Sequence, residues 1–225
     1  MAVSKKNFKR LIVALDLEDK KKINKIVKEL SGYIDRFKVG LIAYTKFGPQ
    51  IVTQLKSKGF KVFLDLKLLD IPNTVINTAK IFAKMGVWAF TVHLKMGENS
   101  LILLKKELTT FCRKNELRKP FILGVTELTS EKASLKNVLK LTSLASQAGL
   151  EGVIASPQEA PFIRRKYPKL KIITPGIRLP GCREDDQKRV SSASFALNYA
   201  DFIVVGRPII KARHPLAAVK KILSC

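Results

Sequence analysis

The stretch from Leu11 to Gly40, "LIVALDLEDKKKINKIVKELSGYIDRFKVG", decides the fold. It opens on the aliphatic run "LIVALD" at 11–16 and closes on "RFKVG" at 36–40. Between them lies a charged segment in which Ile23, Ile26, Val27 and Leu30 recur at helical spacing and share one face. A short β-rich run, an amphipathic helix and a second short run make a strand–helix–strand unit. A connection of that length lets the second strand run parallel to the first, which a tight hairpin turn does not.

The same alternation continues along the chain. Further strand-like runs are "KVFLDLK" at 61–67, "AFTVH" at 89–93, "PFILGVT" at 120–126, "GVIAS" at 152–156, "KIITPGI" at 171–177 and "FIVVGR" at 202–207. Eight strands alternating with helices in 225 residues predict an α/β protein, a closed (β/α)8 TIM barrel. Doubly wound open sheets share the alternation, and it is the strand count that favours the barrel. No Pro- or Ser-rich linker divides the chain, so residues 1–225 read as a single domain.

Composition excludes several classes. The chain is 46% hydrophobic but only 8% aromatic, as expected of an aliphatic α/β interior. No apolar run approaches the roughly 18 residues of a membrane span, and the run from Leu11 to Leu15 is too short for a signal peptide and is followed at once by acids. A cytoplasmic protein is expected. Cys112, Cys182 and Cys225 form no CxxC pair, so neither a disulfide framework nor a zinc site is indicated. The net charge of +24 raises the possibility of nucleic-acid binding. Yet 31 Lys and 11 Arg are scattered along the chain without interleaved aromatics, so the charge reads as a solvated surface with no specific nucleic-acid partner.

In a TIM barrel the active site gathers at the C-terminal ends of the strands. Asp16, Lys38, Asp65, Lys67, His93 and Arg207 all fall at such ends. Unpaired buried charge costs several kcal/mol, so this concentration of ionisable groups needs a use. Asp65 and Lys67 are two apart, which on a regular strand points both side chains into the mouth. A lysine flanked by acids stays protonated, as an acid or an electrostatic anchor. "ITPGIR" at 173–178 and "VVGRP" at 204–208 follow the seventh and eighth strands, where TIM barrels commonly hold phosphate, and Arg207 offers a planar fork of donors for it. The polar run at 179–190 reads as a lid. His93 lacks the spacing of a metal ligand and reads as structural.

"FLDLKLLDIPNT" at 63–74 resembles the DxKxxDIxNT signature of the orotidine 5′-phosphate decarboxylase family, and "ITPGIR", "DDQKRV" and "IVVGRPI" resemble that family's phosphate-binding segments in the same order. The resemblance covers nearly the whole chain. It implies decarboxylation of orotidine 5′-phosphate to uridine 5′-phosphate in pyrimidine biosynthesis, without metal or organic cofactor. Asp16 and Lys38 are then expected at the ribose hydroxyls, and Lys67 as proton donor within a charged network of Lys38, Asp65, Lys67 and Asp70. Asp70, Ile71 and Thr74 are expected to reach the partner's site in a homodimer. Thr129 is expected at the pyrimidine, and Pro175, Arg178, Gln187, Gly206 and Arg207 along the phosphate end and its 175–190 loop. "TVHLKMGEN" at 91–99 departs from the family's small-residue, glycine-rich segment, at Lys95 and Met96. A bare DxKxxD is shared with metal-dependent sugar-phosphate lyases and synthases, from which the "DIPNT" continuation separates this chain.

Overall fold

The structure, a computed structural model, describes residues 4–127, 134–177 and 191–224. The strands are β1 Leu11–Ala14, β2 Arg36–Gly40, β3 Lys61–Leu68, β4 Ala89–His93, β5 Phe121–Val125, β6 Gly152–Ile154, β7 Lys171–Thr174 and β8 Phe202–Val205. Each pairs in parallel with the next, and β8 returns to β1 through Leu11↔Ile203, Ile12↔Val204 and Val13↔Val205. The expected (β/α)8 TIM barrel is therefore closed, with no free sheet edge among the described residues.

Alternation along the strands sorts the core into two layers. Ile12, Ala14, Phe63, Ala89, Leu123, Ile173 and Val204 point inward and pack together with Trp88. Their neighbours Leu11, Val13, Phe37, Val39, Val62, Leu64, Phe90 and Val92 point outward against the helices. The helix Lys20–Leu30 shows how the outer layer is covered. Asp19 caps it by accepting from the N–H groups of Lys21 and Lys22 at 2.8 and 3.1 Å, and Ile23, Ile26, Val27 and Leu30 form the buried face expected from their spacing. Each such aliphatic side chain contributes about 1.5–3 kcal/mol of burial. Among the described residues no helix is long and apolar enough to cross a membrane.

The same inward parity that buries Ile12 and Phe63 carries the charged residues. Lys38 lies two beyond Arg36 on β2, Asp65 two beyond Phe63 on β3, and Asp16 two beyond Ala14 at the end of β1. Apolar side chains thus fill the middle of the barrel, and charges begin where that filling stops.

Candidate active site

At the C-terminal mouth Asp16, Lys38, Asp65 and Lys67 form one alternating chain, in which Asp16 and not the expected Asp70 is the fourth member within the single chain. Lys38 Nζ lies 3.0 Å from Asp16 Oδ1 and 3.4 Å from Asp65 Oδ2, and Lys67 Nζ lies 2.9 Å from Asp65 Oδ1. Lys38 and Asp65 are the buried middle of this chain, while a third of the Lys67 side chain remains exposed. Burial alone would push the Lys38 pKa down, but Asp65 and Asp16 more than offset it and hold the ammonium above its ordinary value. Burial likewise opposes ionisation of Asp65, and Lys38 and Lys67 outweigh it, helped by hydrogen bonds from Lys67 and Thr91, so its carboxyl sits below the usual range.

The local backbone of Lys67 differs from a regular strand. Pairing of β3 with β4 runs Phe63↔Ala89 and Leu64↔Phe90, then slips to Leu68↔Val92, and Lys67 itself adopts φ 52°. A non-glycine residue in the left-handed region carries strain of order 1–3 kcal/mol and persists only where its surroundings hold it. Thr91 supplies that hold. Its hydroxyl oxygen accepts from the Lys67 N–H at 2.9 Å, and the hydroxyl donates to Asp65 Oδ1 at 3.1 Å. Asp65 and Lys67 therefore meet through a bulge rather than through plain two-residue alternation. Thr91 was visible beforehand only as a polar residue at an inward position of "AFTVH".

Gly40 is a second unanticipated component. A Cβ built there would stand 2.6 Å from Asp16 Oδ1 and 2.7 Å from Lys38 Nζ, so the ion pair occupies the space a side chain would need. Its position, two beyond Lys38 and on the same face, is the signal that could have found it.

The charged chain forms one wall of a cleft of about 630 Å³. Pro175, Gly176, Gly206 and Arg207, from beyond β7 and β8, line the same cleft, joined by Lys22 and Lys211. One side is thus a balanced set of two lysines and two aspartates, and the segment after β8 adds two further cations, Arg207 and Lys211, at the two ends of the short helix Arg207–Ile210. Such a site can hold an anion at one end and place an ammonium at the other.

The remaining expected residues divide into two groups. Asp70, Ile71 and Thr74 are exposed at the start of the helix Pro72–Lys84, where Asp70 Oδ1 accepts from the Ile71 N–H at 2.6 Å. Within the single chain they stand apart from the cleft lining. Thr129, Arg178 and Gln187, and most of the expected 175–190 loop, lie outside the described residues. His93 closes β4.

The chain is similar to known proteins over nearly its whole length. The orotidine 5′-phosphate decarboxylase of Tolumonas auensis is 39% identical over 227 residues, 95% of this chain and 96% of its own. That of Vibrio cholerae is 37% identical over 231 residues, covering 97% of this chain and 98% of its own. The crystal structure of orotidine 5′-phosphate decarboxylase from Lactobacillus acidophilus superposes with a TM-score of 0.80 at 34% identity, covering 96% of this chain and 98% of that one. With residues 9–222 matching the family model, the chain belongs to the orotidine 5′-phosphate decarboxylase / HUMPS family.

Proposed function

We propose that the protein decarboxylates orotidine 5′-phosphate to uridine 5′-phosphate, as a cytoplasmic single-domain homodimer. The observation that carries this reading is the Asp16–Lys38–Asp65–Lys67 chain, which ends on a partly exposed ammonium facing the same cleft as Gly206 and Arg207.

Loss of CO₂ breaks the bond between C6 and the carboxylate and leaves its electron pair on C6, where the pyrimidine offers no ordinary sink. The Lys67 ammonium stabilises that charge and then delivers the proton to C6, and solvent reprotonates the amine. Lys38 and Thr91 hold the Asp65 carboxylate in place, and Asp65 holds Lys67. Asp65 also disfavours a second carboxylate beside it, which is relieved when CO₂ departs. Enzymes lower barriers by about 8–23 kcal/mol, more than one ammonium supplies. The remainder comes from phosphate held remotely by Arg207 and the 175–190 loop, including Pro175, Arg178 and Gln187, and spent on orientation at C6. Asp16 and Lys38 take the ribose hydroxyls, Thr129 the pyrimidine, and Asp70, Ile71 and Thr74 complete the partner's site.

A spectrophotometric assay of orotidine 5′-phosphate with chelator present tests this. Wild type should turn over with chelator, and Lys67→Ala should lose at least about 10²–10⁴-fold, the usual share of a general acid. A folded wild type without turnover would sink the assignment, and an active Lys67→Ala the mechanism. Turnover abolished by chelator would favour a metal-dependent sugar-phosphate reaction instead.

A further inference from the structure

Glu127 lines the substrate cleft just beyond β5 with only 9% of its side chain exposed, yet the ligand proposed for that cleft is an anion at both ends. A bare carboxylate there opposes binding. Two groups engage it. Lys95, after β4, places Nζ 3.2 Å from Oε2, and the Asn137 side-chain amide donates to Oε1. Lys95 is half exposed, so the acid faces the cleft and its counter-charge stands toward solvent. Lys95 is also one of the two residues that set the 91–99 segment apart in the sequence.

On the decarboxylase reading above, on which this rests, we propose that Lys95 is a positioning residue that masks the charge of Glu127, so that this wall is electrically neutral toward an anionic nucleotide. Asn137 fixes the direction of the carboxylate but cannot cancel its charge, because an amide is neutral. Among the described residues, Lys95 is the partner of Glu127 that supplies the missing positive charge. An ion pair with one half-exposed member adds little to stability. Its effect is therefore read in ligand affinity. One uncompensated charge about 10 Å from a ligand anion, at an effective dielectric constant near 20, weakens binding on the order of tenfold.

The sign pattern distinguishes masking from a structural tie. Lys95→Ala should raise KM for orotidine 5′-phosphate and Kd for uridine 5′-monophosphate on the order of tenfold, at nearly wild-type melting temperature. Glu127→Gln leaves Lys95 unopposed and should lower both. The double variant Lys95→Ala/Glu127→Gln should fall between the singles, and raising the salt concentration should shrink the Lys95→Ala defect. If both single variants weaken binding, or if Lys95→Ala leaves Kd unchanged, masking is wrong. Calorimetric binding of uridine 5′-monophosphate is measured whether or not the wild type turns over. A wild type that binds this nucleotide with the expected sign pattern but has no decarboxylase activity would overturn the reaction while keeping the mask.

Discussion

The two ends of the barrel are both rich in positive charge and use it differently. At the floor, Arg10 donates to the carbonyls of Asp201 and Leu197 at 3.2 and 2.6 Å and to that of Ala200. Arg36 donates to the Lys9 carbonyl at 2.8 Å, and its guanidinium lies 5.1 Å from the Trp88 ring and 4.9 Å from that of Phe202. Arg164 spans the carbonyls of Tyr199, Pro168 and Leu170. These cations are committed to backbone oxygens, aromatic faces and the carboxylates of Asp35 and Asp201, partners that the fold always supplies. At the mouth, lysines meet carboxylates around a cleft, and Lys67 keeps part of its surface for something else. Arginine suits the first task because its planar fork serves several carbonyls at once, and lysine the second because it is a compact charge able to release a proton. Floor charge should matter to stability and mouth charge to chemistry.

The most damaging test of that contrast is Lys38→Met, which leaves Asp65 and Asp16 without their shared partner. Breaking a buried pair from one side costs about 3–5 kcal/mol, and turnover should vanish with it. Urea unfolding and the decarboxylase assay read the two effects, and a stable, active Lys38→Met would erase the special status of the mouth. Next in size is Arg36→Leu, expected to lose about 1–3 kcal/mol through the carbonyl bond, the Asp35 ion pair and the stacked rings. Its kcat should stay near wild type, and a comparable fall in kcat would show that floor and mouth are coupled.

Gly40→Ala is the reverse case. The backbone there, with φ −96° and ψ −173°, accepts an alanine, and only the ends of the Asp16 and Lys38 side chains must move. Stability should change by less than about 1 kcal/mol while kcat/KM falls on the order of 10- to 100-fold through misplacement. An unaffected kcat/KM would mean that the pair tolerates displacement.

The smallest effect is in the pH dependence of stability. Asp65 binds its proton more weakly when folded, so it adds stability above the ordinary carboxyl value of 3.8 that drains away as pH falls through the lower folded value. Lys38 is the mirror case, fully stabilising below 10.5 and losing that contribution as pH rises through its higher folded value. Melting curves across pH should show both limbs in wild type and in Arg36→Leu. Asp65→Asn should flatten the acid limb, and an unchanged acid limb would locate the titration elsewhere.

The eight strands were legible because each is a short aliphatic run bounded by charge or turn residues, and a barrel buries both faces of its strands. Lys38 and Asp65 were legible as charges at the ends of such runs. The bulge at Lys67 was not, since it arises from how β3 meets β4 and leaves no local mark in "KVFLDLK". Thr91 and Gly40 looked ordinary because their value lies in what neighbouring strands place beside them. The masking of Glu127 joins residues separated by a strand and a helix, a relation that one sequence does not display.

The closing pairing of β8 on β1 has a consequence in time. Asp16 follows β1, Lys38, Asp65 and Thr91 come from the next three strands, and Gly206 and Arg207 follow β8. The ribosome delivers the Asp16–Lys38–Asp65–Lys67 half of the pocket well before the cationic segment that follows β8. Only when β8 docks against β1 do both halves face one another, so on the proposed decarboxylase reading a nascent chain would carry the reacting groups long before it could grip a nucleotide.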